Sequence, residues 1–344
     1  MIARLLVVAV LTAAALTSCS GTQPGTPIVS WVEDEVSFDA DGLTVHGTYR
    51  HRDDSTPGPA ALLISESGRT DRNGDNNVAG PVGNMRQLAQ YLSDRGVSSL
   101  RYDKVGTGAT GLGPYADRPA DIGSAVYTGG ARSAVRFLAA QAGVDRISVY
   151  AVGEGAIHAM SLAGDTGPGA PAIHSLGLLQ PLAARYLDLI SSRVNADLAA
   201  AVRDGAKTQQ QADAVRAAWR AAVAQVRATN TVVPDLPDGL SAILNPGNAR
   251  AVADADKIDP AALAARIPAG TPVLLTCSDS DGQADCADVS SLSDALARTE
   301  LTVVELAGVN HVLRDDPSDN VGNYARPDPL SSQLTAALDQ FVTE

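Results

Sequence analysis

Lysine is almost missing from this chain: it occurs three times, at Lys104, Lys207 and Lys257. The formal net charge is −13, and no stretch gathers Lys and Arg into a basic stripe, which excludes nucleic acid as the partner. Aromatic residues make up only 4% of the sequence, too few to suggest an aromatic platform for carbohydrate rings. No Gly-rich phosphate loop, metal-ligand cluster or cofactor fingerprint is present. Gly106-Thr107-Gly108 lacks the downstream spacing of a dinucleotide site. The expectation is therefore no cofactor and no metal, and nothing in the sequence sets an oligomeric state.

Cysteine is also scarce, with three in all. The first closes a targeting segment. Arg4 supplies a positive start and residues 5–15 form an apolar run broken only by Thr12, too short to span a bilayer. The run leads into Leu16-Thr17-Ser18-Cys19, which resembles the bacterial lipobox, in which the cysteine is diacylated and becomes the mature N-terminus. Residues 1–18 then read as a lipoprotein signal peptide and 19–32 as a lipidated polar tether, which places the domain on the extracytoplasmic face of a cell membrane. In that oxidising setting the two remaining cysteines, Cys277 and Cys286, are most simply a disulfide.

Past the tether, residues 33–39 and 43–49 alternate apolar and polar around Ala40-Asp41-Gly42, the pattern of a β-hairpin. Short apolar runs at 61–65, 98–102, 147–152, 176–179, 272–276 and 301–306 then alternate with amphipathic stretches at 85–95, 131–141, 289–298 and 330–342. This order predicts an α/β fold with a mostly parallel sheet, an antiparallel N-terminal hairpin and helices on both faces. Residues 183–250 break the rhythm. They hold two helical runs and the irregular Pro234, Pro237 and Pro246, and read as a helical cap inserted into a core of 33–182 and 251–344.

The segment Ile147-Ser148-Val149-Tyr150-Ala151-Val152-Gly153-Glu154-Gly155-Ala156 runs from a β-branched strand through a Gly-rich turn into a small-residue helix. It resembles the nucleophile elbow of the α/β-hydrolases, where G-x-S-x-G carries the attacking serine. Three further blocks extend the resemblance to the bacterial esterase-like, serine aminopeptidase-like group. These are Ser67-Gly68-Arg69-Thr70-Asp71-Arg72-Asn73-Gly74-Asp75, Leu100-Arg101-Tyr102-Asp103-Lys104-Val105-Gly106-Thr107-Gly108, and Ile258-Asp259-Pro260-Ala261-Ala262-Leu263, the last one residue short before its leucine.

The resemblance implies an α/β-hydrolase fold and a triad in the order nucleophile, acid, histidine. It places the base at His311, directly after the last apolar run, and the acid at Asp281 in Asp281-Gly282-Gln283, with Asp279 as competitor. The disulfide would brace this acid loop. The oxyanion hole would use the backbone N–H groups of Glu154 and Ser67. Two positions depart from the group: Gly153 stands where the serine belongs, and Glu66 where a glycine is usual, a carboxylate expected to face the hole and oppose developing negative charge. Glycine adopts the strained elbow geometry freely, so the exchange keeps the turn and discards the chemistry.

Three readings follow. The first is a membrane-anchored pseudohydrolase that binds a small acyl or ester-like ligand without serine turnover. The second is an active esterase in which His311 with Asp281 activates a water in the space left by the serine. The third is an envelope scaffold that uses its surface and not its pocket.

Overall fold

A computed structural model describes residues 30–54 and 56–342. The expected signal peptide, Cys19 and most of the tether lie outside the described residues. Among the described residues, no helix is long and apolar enough to cross a membrane.

The chain opens with β1 (Trp31–Ala40) and β2 (Leu43–Arg52), an antiparallel hairpin. Its turn has φ of 54° at Asp41 and 84° at Gly42, the left-handed pair that matches the twist of flanking strands. The strand begins earlier than the sequence pattern indicates: Trp31 and Val32 pair with Arg52 and His51, so these residues belong to the sheet and not to the tether. The cross-strand partners supply the reason, and they are invisible to a period-2 reading of one strand.

Then follow β3 (Gly58–Ile64), α1 (Asn84–Ser93), β4 (Ser98–Tyr102), α2 (Ser124–Ala139), β5 (Val144–Gly153), α3 (Gly155–Ala163) and β6 (Ser175–Pro181). After the cap come α7 (Pro260–Ala264), β7 (Pro272–Ser278), α8 (Cys286–Ala295), β8 (Glu300–Leu306) and α9 (Ser332–Val342). The cap itself holds α4 (Tyr186–Arg203), α5 (Gln209–Thr229) and α6 (Ala249–Asp256).

The eight strands form one sheet in the order β1-β2-β4-β3-β5-β6-β7-β8, parallel from β4 onward. Strands covered on both faces read as unbroken apolar runs, which is why Ala60–Ile64 and Val273–Leu275 show no alternation. One face packs Leu62, Val149 and Leu178 against α2 and α3; the other packs Leu63, Tyr150 and Leu274 against α1 and α9.

The cap is a separate apolar unit. Leu187, Val194 and Leu198 of α4 meet Val215, Trp219 and Val226 of α5 and Val252 of α6. It therefore runs to Asp256, six residues past the boundary at 250 that the sequence suggests, because α6 contributes Val252 and Ala253 to the cap cluster. A capping box between Thr208 and Gln211 starts α5, and the Trp219 indole N–H donates to Ser191 Oγ at 2.9 Å. Asp256, almost fully buried, ties the cap down. Its carboxylate accepts from Arg185 Nη2 (3.0 Å), Arg227 Nε (2.8 Å) and the Leu187 backbone N–H (2.9 Å).

Candidate active site

The site forms at the C-terminal ends of the central strands, where open parallel sheets place their ligand crevices. β5 ends at Gly153 with φ of 55° and α3 begins two residues later, a sharp strand-to-helix elbow. Gly155 lets the helix approach the neighbouring strand: a Cβ there would lie 2.7 Å from Ile64 O and 3.0 Å from Ser65 O. Both glycines are thus demanded by the backbone, one by left-handed φ and one by close packing.

His311 follows β8 and is buried, with its side chain 2% exposed. Its Nδ1 lies 2.8 Å from Asp281 Oδ2. Asp281 is held in turn by the backbone N–H groups of Gln283 (2.7 Å) and Ala284 (3.2 Å). Asp279, the competitor, points elsewhere: it accepts from the Gly308 N–H at 2.8 Å and from the Ser280 hydroxyl, bracing the loop after β8. Cys277 and Cys286 form a disulfide that closes the acid loop at its base.

Glu66 departs from expectation. Instead of facing an oxyanion hole, its carboxylate turns to the histidine, with Oε2 2.5 Å from His311 Nε2. It fills the space directly over the elbow glycine. A Cβ built on Gly153 would overlap Glu66 Oε2 and would lie 3.0 Å from its carboxyl carbon and 3.1 Å from His311 Nε2. A side chain at 153 would therefore require the Glu66 carboxylate to move aside. The Ser67 hydroxyl donates to Glu66 Oε1, so this residue supports the carboxylate directly. Glu154 holds the N-cap position of α3 without a side-chain capping bond, and its carboxylate accepts from the Gly68 backbone N–H.

Two further residues support the site: Lys104, within the resembling block at 100–108, and Asp319, which carries no sequence signal of its role. Lys104, buried below the elbow, donates to the Glu66 backbone carbonyl and sits 3.5 Å from Ser65 O, fixing the loop after β3. Asp319 accepts from the His311 N–H (3.0 Å), the Gly282 N–H (3.0 Å) and the Tyr324 hydroxyl, so it stitches the acid loop to the histidine loop. The resembling block after β3 is pinned by Asp103, which accepts from Arg72 Nη2 (2.9 Å) and the Arg72 N–H (3.0 Å).

The charges follow from this packing. Burial opposes a charged His311, but the carboxylates of Asp281 and Glu66 outweigh it and raise the imidazole well above its ordinary 6.5. Burial likewise opposes an ionised Glu66; the His311 charge, its hydrogen bond, the Ser67 hydroxyl and Lys104 prevail and hold the carboxyl down at about 2. Burial raises Glu154, against the pull of Lys104. The geometry thus favours a protonated imidazole between the two carboxyl groups.

Linkage then has two signs. The raised histidine contributes stability that is complete below pH 6.5 and fades as pH rises through its folded value. The lowered Glu66 contributes above its ordinary 4.5 and fades as pH falls toward 2. The pair is at full strength between these limits. ¹⁵N NMR of the His311 ring at pH 7.5 is expected to show both nitrogens protonated; a neutral ring at that pH would contradict the clamp.

Beside this cluster, between α4 and the acid loop, opens a cleft of about 670 Å³. Its lining joins the apolar Leu182, Tyr186, Leu189 and Ile190 to Arg193 and a set of carboxylates from the acid loop, and Ser67 and Asp281 are the lining residues bonded to the charged cluster. Among the described residues, no group of three or more His, Cys, Asp or Glu side chains is placed to hold a metal ion.

Neither a protein-family model nor a curated protein matches the sequence. Solved structures do match the fold. Est1E from Butyrivibrio proteoclasticus, solved with ferulic acid bound, aligns with a TM-score of 0.54 at 14% identity over 90% of this chain and 100% of its own. An esterase of Pyrococcus furiosus aligns with a TM-score of 0.55 at 15% identity over 91% of each chain. A dienelactone hydrolase from Anabaena variabilis gives 0.50 at 12% identity over 91% of this chain and 97% of its own. The chain has the α/β-hydrolase fold, as the eight-stranded, mostly parallel sheet with its antiparallel opening hairpin already indicates.

Proposed function

We propose that this protein is a lipid-anchored envelope member of the hydrolase-like fold that binds a small acyl or ester-like ligand in the cleft under its cap, with the serine route of ester hydrolysis closed. The observation that carries this reading is the Glu66 carboxylate in the space a serine side chain would need, 2.5 Å from the base. Loss of the nucleophile from such a unit costs on the order of 10⁶ in turnover. The membrane anchor rests on the lipobox-like segment ending at Cys19, and an extracytoplasmic location agrees with the disulfide.

The same geometry weighs against a water activated by His311 and Asp281. A general base needs a free nitrogen lone pair facing the water, and both ring nitrogens face carboxylates. The open cleft weighs against a scaffold that uses only its surface.

The test uses the full-length protein in detergent. Expected are no fluorophosphonate labelling, no hydrolysis of short-chain alkyl esters above the buffer rate, and a rise in Tm with unreactive N-alkyl amides of the same acyl chains. Fluorophosphonate labelling together with steady alkyl-ester turnover would sink the proposal, and palmitate labelling lost in Cys19→Ser checks the anchor.

A further inference from the structure

We infer that Glu66 takes over the nucleophile's place in full, accepting an acyl group from activated acyl donors, aryl esters and thioesters, as a mixed carboxylic anhydride. This rests on the reading that the cleft receives acyl ligands. Glu66 Oε2 stands against the base and over the elbow glycine, where the attacking oxygen of a serine enzyme would be. Its side chain is 17% exposed while that of its partner His311 is 2% exposed, so Glu66 is the less buried member of the pair. Ser67 and Asp281, bonded to Glu66 and His311 respectively, both line the cleft. Carboxylates act as covalent nucleophiles where a neighbouring group orients them.

The resting imidazolium suits this chemistry better than it suits a serine. Glu66 Oε2 attacks the acyl carbonyl carbon, and the carbonyl π electrons move to oxygen. The intermediate collapses with cleavage of the bond to the leaving group, which takes the Nε2 proton from His311 and departs as a neutral phenol or thiol. Glu66 is now an uncharged anhydride, and His311, neutral and relieved of one carboxylate partner, is a free base. It takes a proton from water as the hydroxide oxygen attacks the acyl carbon. Collapse releases the carboxylic acid, restores the Glu66 carboxylate and leaves His311 protonated. The net reaction is acyl donor plus water to acid plus phenol or thiol.

The donor class follows from leaving-group competition. A carboxylate this strongly stabilised by its neighbours is itself a good leaving group, so an alkoxide never wins the collapse. A phenol or thiol assisted by the imidazolium proton does. Ordinary alkyl esters therefore remain untouched, in keeping with the closed serine route.

The experiment mixes the full-length protein rapidly with p-nitrophenyl acetate or an acetyl thioester, then quenches with hydroxylamine and maps peptides by mass. Expected is a burst of about one equivalent of nitrophenolate and a hydroxamate on Glu66, with the burst lowered at least ~100-fold in Glu66→Gln. Trapping in the unaltered protein needs no variant, so a misfolded Glu66→Gln would not blur the outcome. A hydroxamate or acyl group on any other residue, or no trapped Glu66 with either donor, overturns the inference. If amides still raise Tm while Glu66 is never trapped, this inference alone fails. If alkyl esters are turned over and fluorophosphonate labels the chain, the functional reading fails instead.

Discussion

The double variant Gly153→Ser/Glu66→Gly is expected to hydrolyse short-chain alkyl esters on the order of 10³-fold faster than the unaltered protein, whereas Gly153→Ser alone is expected to gain nothing. A serine Cβ at 153 would lie 3.1 Å from His311 Nε2, which leaves its hydroxyl within reach of that nitrogen. In the single variant the serine Cβ and the Glu66 carboxylate compete for the same space beside His311, so the serine hydroxyl does not gain Nε2 for itself while the carboxylate remains in the site. Removing the carboxylate frees Nε2 and leaves the Asp281–His311 pair intact at 2.8 Å. The restored serine would hold φ near 55°, a conformation that costs roughly 1–3 kcal/mol, so only part of the ~10⁶ is regained. Alkyl-ester rates and fluorophosphonate labelling of both variants decide it. Equal activity in the single and double variants would show that Gly153 and Glu66 are not coupled.

The second large effect is expected at the cap. Asp256→Ala should cost about 3 kcal/mol and lower Tm by several degrees, while Asp188→Ala should cost under about 1 kcal/mol. Asp256 is 1% exposed and joins Arg185, Arg227 and the Leu187 amide, so its loss releases the start of α4 and the end of α5 together. Asp188 shares only Arg227 and is half exposed, where solvent screens the pair. The arginines are partly exposed and can turn to water, which keeps the cost at the low end for a broken buried pair. The arginine bonds lower Asp256 against its burial, so its contribution is present above its ordinary 3.8 and is lost as pH falls through the folded value. Chemical denaturation with limited proteolysis across residues 230–248 checks both parts. An unaltered cleavage pattern would mean the cap is held by its apolar contacts alone.

Much of the fold was legible because its signals are local. The apolar runs at 60–64 and 273–275 are strands for the reason they look like strands: both faces are buried by helices, so no polar residue interrupts them. Periodicity could not show where an element ends when a partner sets the limit. Trp31 and Val32 joined β1 through β2, and α6 joined the cap through Val252.

The site divides in the same way. The elbow glycines, His311 after β8, Asp281 after β7 and the paired cysteines all hold positions that follow from chain order, because each sits at the end of a strand whose existence the sequence declares. The sequence also determined that the serine is absent. Only the tertiary structure shows which side chain lies over Gly153. Glu66 lies 245 residues from His311 and 87 from Gly153, so no local pattern relates them. Packing brings the three within contact, and a mostly buried carboxylate pairs with a positive neighbour. That partner is His311, which turns a gap in a motif into an occupied, charge-paired position.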